Sequence, residues 1–393
     1  MKYLLRYILQ ISAILLSAIL LICVSCKEND DDAPVPPAPG VSRTVLVYMA
    51  ANNNPSLPHK LNFDAMVSAV DDGALDDGGR LIVFRKTSSS AAPQLIELTK
   101  GAQKTLKNYP KGSNTVDPEM MKKVIADTRE MAPAQEYGLL LWSHASGWRS
   151  PSRSWGQDVE FSGPEREMSI PDLADALGHR QFRFIYMDCC FMGNIETLYE
   201  LRNAADFVIA SSTETPYAGM DYERNIPEFF SKELDLGKLA TNTYNAVADL
   251  TRDGDYCGIA ISLFDMSRID AVAEAVKDIY STSKTTYVNP SGIQQYGFSS
   301  WNGYFYDLSH YIHTLSGDAM LLARFDSALA QFIPVFHHTD VLWLNLGDYP
   351  LDNVSGVSGF IPGSSNLQTR YHYDDLKWYK DIVAPYVISY KTT

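Results

Sequence analysis

Leu139-Leu140-Leu141-Trp142-Ser143-His144-Ala145-Ser146-Gly147-Trp148 and Ile185-Tyr186-Met187-Asp188-Cys189-Cys190-Phe191-Met192-Gly193-Asn194-Ile195-Glu196 are two apolar runs that each stop at reactive side chains. Short, unbroken apolar runs of this kind suit strands buried on both faces of a parallel sheet. In open α/β sheets the chemistry sits beyond the carboxyl ends of the strands. An imidazole from one strand end and a thiol from another make a candidate base and nucleophile.

Working outward, strands and helices alternate. Strands are expected at Thr44–Met49, Arg80–Phe84, Gln94–Leu98 (as an edge), Tyr137–Trp142, Phe182–Met187, Phe207–Ala210 and Gly258–Phe264. Helices are expected over Lys60–Val70, Gly193–Arg202 and Ser267–Tyr280. Asp117-Pro118-Glu119 reads as a cap, a first-turn proline and a first-turn acid, opening a helix to Met131. Ser169-Ile170-Pro171-Asp172 caps another. This alternation predicts an α/β fold, a mostly parallel sheet flanked by helices. The character changes near residue 283, where Tyr, Trp, Ser and Gly become frequent. A smaller C-terminal α+β subdomain is expected over 283–393, with a helix from Asp318 to Phe336 and a strand at Val357–Ile361. The aromatic stretch from Tyr296 to Tyr311 reads as core packing.

The N-terminus reads as targeting rather than fold. Lys2 and Arg6 precede the apolar run Ile8 to Ile22, the pattern of a secretory signal. Ser25-Cys26 then resembles a lipoprotein processing site, although Cys23 stands where an aliphatic residue is usual. The expected organisation is a signal peptide over 1–25, an acidic and Pro-rich linker over 26–42 beginning at a lipidated Cys26, and the α/β domain over 43–282. The acidic stretch after Cys26 resembles the export signal of surface-displayed lipoproteins in some Gram-negative bacteria, which implies a bacterial outer membrane or cell surface, with the lipid as the membrane contact. A net charge of −14 disfavours nucleic acid as a partner. Cys189, Cys190 and Cys257 are too few for a disulfide framework. His337, His338 and Asp340 lack metal-ligand spacing, and no metal site is expected.

Trp142-Ser143-His144-Ala145-Ser146-Gly147-Trp148 and Met187-Asp188-Cys189-Cys190-Phe191-Met192-Gly193 resemble the His and Cys motifs of the clostripain family of cysteine peptidases, of the same clan as caspases, legumains and gingipains. Tyr48–Asn53 and Ser211–Pro216 with Gly219–Tyr222 extend the likeness. The resemblance implies a caspase-like sheet and an endopeptidase with Cys190 as nucleophile and His144 as general base. The backbone N–H groups of Ala145 and Cys190 would form the oxyanion hole. Relatives cut after Arg, in some cases Lys, so the substrates are proteins or peptides with a basic residue before the cut. Asp188 matches the acid lining that pocket, and Glu214 and Asp221 are secondary substrate-binding candidates.

The resemblance also implies a zymogen nicked between His and Cys, with Arg153 or Arg149 as self-cleavage candidates. The expected particle is a monomer, of two chains once nicked. No cofactor is expected, and calcium dependence is left open; Asp71-Asp72 and Asp76-Asp77 lack an EF-hand pattern. One departure stands out: the family usually has His-Gly where this chain has His144-Ala145. A positive φ there would strain alanine by about 1 kcal/mol. It supports one alternative, a weak or inactive peptidase scaffold acting as a surface binding protein.

Overall fold

The computed structural model describes residues 40–52, 59–75, 78–149, 154–162, 166–216, 218–252, 258–297, 304–343, 348–362 and 372–386. The signal peptide, Cys26, the Pro-rich linker, Arg153, Asp76-Asp77 and Cys257 lie outside them.

The strands of the central sheet are β1 (Arg43–Met49), β2 (Arg80–Arg85), β3 (Gln94–Thr99), β4 (Ala102–Asn108), β5 (Glu136–Trp142), β6 (Phe182–Asp188), β7 (Ala205–Ser211) and β8 (Ala260–Asp265). A two-residue strand, β9 (Tyr306–Asp307), lies outside it, and β10 (Val335–His338) completes it. The order is β10-β8-β7-β6-β5-β1-β2-β3-β4. The inner run β7-β6-β5-β1-β2 is parallel throughout. Antiparallel strands close both sides. The inner strands are buried on both faces, which is why their sequences are apolar without alternation.

The two faces collect two separate cores. Leu139, Leu141, Ile185 and Met187 pack on one side with the helices α2 (Pro118–Met131), α3 (Ile170–Leu177), α4 (Ile195–Glu200) and α7 (Ile269–Ser283). The alternate residues Leu140, Trp142, Phe184 and Tyr186 pack on the other side with α1 (His59–Asp71), α5 (Tyr222–Phe230) and α6 (Leu236–Arg252). The mostly parallel sheet flanked by helices is as expected, whereas α5 and α6 on the second face were not anticipated.

Several local expectations are corrected. Gln94–Leu98 is not the edge: the exposed β4, Ala-Gln-Lys-Thr-Leu-Lys-Asn, lies outside it. The helix after Cys190 is shorter, starting from the cap Asn194. The helix from Asp318 stops at Phe332 as α9 (Ala319–Phe332), two residues short of Pro334, after α8 (Leu308–Leu315). The chain then re-enters the sheet, so His337 and His338 are strand residues rather than polar residues trailing a helix. Short ladders, β11 (Val341–Trp343) with β12 (Asp348–Pro350) and β13 (Ser358–Gly359) with β9, complete the C-terminal part. Tyr296, Phe305, Tyr306 and Tyr311 are buried, as core packing requires.

Candidate active site

β5 and β6 are neighbours in parallel register, with Trp142 opposite Asp188. His144 and Cys190 each stand two residues past that pair. They leave adjacent strands, about 4.8 Å apart, at the same level of the sheet edge. Both are partly exposed.

The turn at Cys190 is held from several sides. Phe191 adopts φ 59°, a left-handed conformation that costs a non-glycine residue about 1 kcal/mol. Its N–H donates to Thr213 O (2.9 Å), and its carbonyl accepts from Asn194 Nδ2 (2.6 Å). Its ring stacks on Phe305 with centroids 5.0 Å apart. Asn194 also caps α4 by accepting from Thr197 N (2.8 Å). Thr215 N donates to Cys190 Sγ (3.3 Å), and Thr215 Oγ1 donates to Cys189 O (3.1 Å). The thiol thus sits between the His144 loop and the 212–216 loop. Cys189 faces the core and donates to Leu141 O (3.0 Å); both cysteines are free. Burial pushes the Cys190 thiol up to about 12, helped by the charges of Glu214 and Asp188 and opposed by the Thr215 N–H.

The His144 loop carries its positive φ at Gly147 (63°), while Ala145 is not in that region. A Cβ on Gly147 would meet Asn194 Nδ2 at 2.7 Å and Phe191 O at 2.9 Å, so this glycine lets the two loops touch. The strain anticipated at Ala145 is absent. Ala145 pairs with Trp155 in an antiparallel bridge. The flanking hydrogen bonds come from His144 O, which accepts from Gly156 N (2.9 Å), and Ser146 N, which donates to Ser154 O (3.0 Å). In such a ladder the N–H of the middle residue points the other way, away from Trp155.

Asp188 ends β6 on the face that carries α1 and α5. Its carboxylate accepts from the Tyr222 hydroxyl, and a side chain on Gly219, at φ 69°, would collide with Asp188 Oδ2. With its amide oriented to satisfy both neighbours, Asn62 accepts from Trp142 Nε1 (2.9 Å) and donates to Ala218 O (3.2 Å). Burial lifts the Asp188 carboxyl to about 6 against the pull of Tyr222 and the Met220 N–H. No basic side chain pairs with it among the described residues.

The clostripain-family profile matches residues 47–325. The chain belongs to the clostripain family. Among solved structures, it is similar to a secreted C11 cysteine protease from Bacteroides thetaiotaomicron in complex with an irreversible peptide inhibitor. That match has 28% identity and a TM-score of 0.76, covering 88% of this chain and all of the other. An inactive zymogen C11 protease from Parabacteroides distasonis is similar at 27% identity and TM-score 0.77, covering 88% and 99% of the two chains. No match was found among curated proteins. This clostripain-family chain is a cysteine peptidase with the family's caspase-like fold.

The remaining candidates of the peptidase have other surroundings. Asp221 caps α5 by accepting from Arg224 N and pairs with the Arg224 guanidinium (3.1 Å). Glu214 is half-buried on the loop beside the thiol. Arg149 lies over the Tyr304 ring, 5.2 Å from its centroid, and its carbonyl accepts from Ser154 Oγ (3.3 Å). Asp71 accepts from Gly101 N (2.7 Å). Among the described residues no group of three or more His, Cys, Asp or Glu is arranged to hold a metal ion. Sequence reading missed Tyr222, whose hydroxyl reaches Asp188 from a separate helix, and Phe191, where no glycine signals the left-handed turn.

Proposed function

We propose that this peptidase cuts proteins after arginine, and after lysine as the alternative basic residue, with Cys190 as nucleophile and His144 as general base. The observation that carries this reading is Asp188. It is a buried carboxylate beside the thiol with no basic partner among the described residues. An acid lifted to about 6 is mostly charged at neutral pH, and a substrate guanidinium supplies the missing counter-charge.

The chemistry follows from the same surroundings. With its thiol pushed up to about 12, Cys190 is neutral at rest. Attack on the scissile carbonyl is therefore coupled to proton transfer from Sγ to His144. The tetrahedral oxyanion is held by the N–H groups of Ala145 and Cys190. His144 returns the proton to the leaving amine, giving a thioester. Water, deprotonated by His144, then releases the acid and restores the thiol. The ordinary backbone at Ala145 supports a working oxyanion hole rather than a degenerate binding scaffold.

The enzyme is read as exported and held at the cell surface through a lipidated Cys26. Relatives described as secreted support the extracellular part of that reading. The interval between His144 and Cys190 contains Arg149 and Arg153, the proposed self-cleavage points, and a zymogen among the relatives supports processing. The particle is proposed as a monomer, two-chained after the cut.

The test uses soluble protein starting after Cys26, given reductant, with fluorogenic peptides ending in Arg, Lys, Asp or Leu. Cleavage after Arg, lost in Cys190→Ala, is expected. Silence toward the basic peptides in nicked protein, or unchanged activity in Cys190→Ala, rejects it.

A further inference from the structure

Glu196 lies in the first turn of α4, the helix that follows Cys190, and is fully buried. The phenols of Tyr280, Tyr311 and Tyr373 are the titratable groups that face it, and no basic side chain pairs with it among the described residues. Burial pushes its carboxyl up to about 7. An apolar side chain at this place would avoid that desolvation. The carboxylate does what an apolar group cannot: its Oε1 accepts the Phe360 N–H (2.7 Å), and the carboxylate also faces the Tyr373 hydroxyl.

Phe360 belongs to a C-terminal segment pressed against the nucleophile loop. Ser358 N donates to Gly193 O (3.0 Å), and Asn194 and Ser358 form a parallel bridge. Ser212 Oγ donates to the same Gly193 carbonyl (2.7 Å) and lies 3.0 Å from Gly356 O. The His144 loop reaches the same place. The Trp148 ring lies edge-on to Phe360 (5.3 Å) and Tyr373 (4.9 Å), whose own rings are 4.7 Å apart. Phe360 and Tyr373 lie beyond the segment matched by the family profile.

We propose that Glu196 is a positioning residue for the peptidase reaction. By accepting the Phe360 N–H it clasps the C-terminal segment against the Cys190 loop and, through Trp148, Phe360 and Tyr373, fixes the His144 loop to the same wall. This rests on the reading of Cys190 as nucleophile. A buried N–H left without an acceptor shifts the segment rather than stay unpaired. A displacement near 1 Å at a reacting pair can lower turnover about 100-fold.

The experiment compares the full chain, solubilised in detergent, with Glu196→Gln, Glu196→Asp and Cys190→Ala. It reads kcat and KM on an Arg peptide and the rate at which an irreversible arginyl peptide ketone, which brings its own carbonyl to the site, alkylates Cys190. Gln keeps an acceptor oxygen at the same reach, and kcat within about twofold of wild type is expected. Asp is one methylene short; kcat should fall about tenfold or more with KM unchanged, and Cys190 alkylation should slow in step. A folded Glu196→Asp enzyme matching wild type in both readouts overturns the clasp. Should that variant unfold, hydrogen exchange on the wild-type chain decides. The Phe360 amide must be protected together with residues 190–196, and fast exchange at Phe360 in active enzyme overturns the proposal. Activity persisting in Cys190→Ala overturns the nucleophile instead, whereas an inactive Cys190→Ala beside a fully active Glu196→Asp overturns the clasp alone.

Discussion

Asp158 and Asp188 are both buried aspartates, and their surroundings are opposite. Asp158 Oδ2 pairs with Lys86 Nζ (3.0 Å) and accepts from Thr115 Oγ1 (3.0 Å), while Asn52 Nδ2 donates to Oδ1 (2.5 Å). Lys86 also reaches Glu160 (2.6 Å) and Ser113 O (3.0 Å). This cluster ties the chain just after the His144 loop to the end of β2. The protein supplies both charges, so the acid is structural. Around Asp188 the described residues supply hydroxyl and N–H donors but no cation. Burial alone does not mark a binding group; what sets Asp188 apart is a missing counter-charge at the end of the strand that delivers Cys190.

The largest effect that sharpens this contrast is on the structural side. Lys86→Met strands Asp158 and Glu160 without their ammonium, and a loss of about 3–5 kcal/mol in unfolding free energy is expected. A urea titration showing less than about 1 kcal/mol would mean that the cluster is not what holds the loop.

Asp188→Asn should act in the other direction. Cleavage after Arg should fall roughly 100-fold in kcat/KM with the lost charge pair, while the folded protein at neutral pH gains up to about 3 kcal/mol by shedding a buried charge. A variant both destabilised and still Arg-selective would erase the difference between the two acids.

The pH profile is the next test. The folded carboxyl near 6 lies above its ordinary value of 3.8, so the protonated form is favoured by folding. The stability from Asp188 is full below about pH 4 and is lost as pH rises to about 6. Recognition of Arg runs the opposite way. In the free enzyme kcat/KM for Arg peptides should climb about tenfold per unit up to pH 6 and level above it, relative to a neutral-residue control on the same enzyme. Parallel profiles for both peptides would assign the limb to another group. The smallest effect is Tyr222→Phe. Without the hydroxyl the Asp188 carboxyl rises further, moving that limb upward by less than about one unit for a hydrogen bond worth about 1 kcal/mol.

What the sequence disclosed follows the physics of burial. The strands leading to His144 and Cys190 were legible because a strand covered on both faces has no polar alternation to confuse it with a surface element. β4 was not: its seven residues are exposed or half-exposed, and its lysines give no apolar period. α5 was passed over because Asp221 was read as a loop acid on the substrate side, and Pro227 sits inside the helix. The end of α9 was overrun although Pro334 follows it. The pairing of Tyr222 with Asp188, and of Glu196 with Phe360, joins residues distant in sequence, so neither leaves a local pattern. Ala145 was read as a possible lesion through a positive φ, and the backbone does not show that strain: the loop's positive φ, and the glycine that the loop contact requires, is at Gly147.

The high resting value of the Cys190 thiol also bears on how long the enzyme survives between substrates. Oxidants and stray electrophiles react with thiolate far faster than with thiol. A sulfur that keeps its proton until a carbonyl and a proton acceptor are both in place presents almost no thiolate to peroxide or disulfides at neutral pH. In the proposed mechanism, the burial that makes Cys190 depend on His144 would thus also protect it against irreversible oxidation.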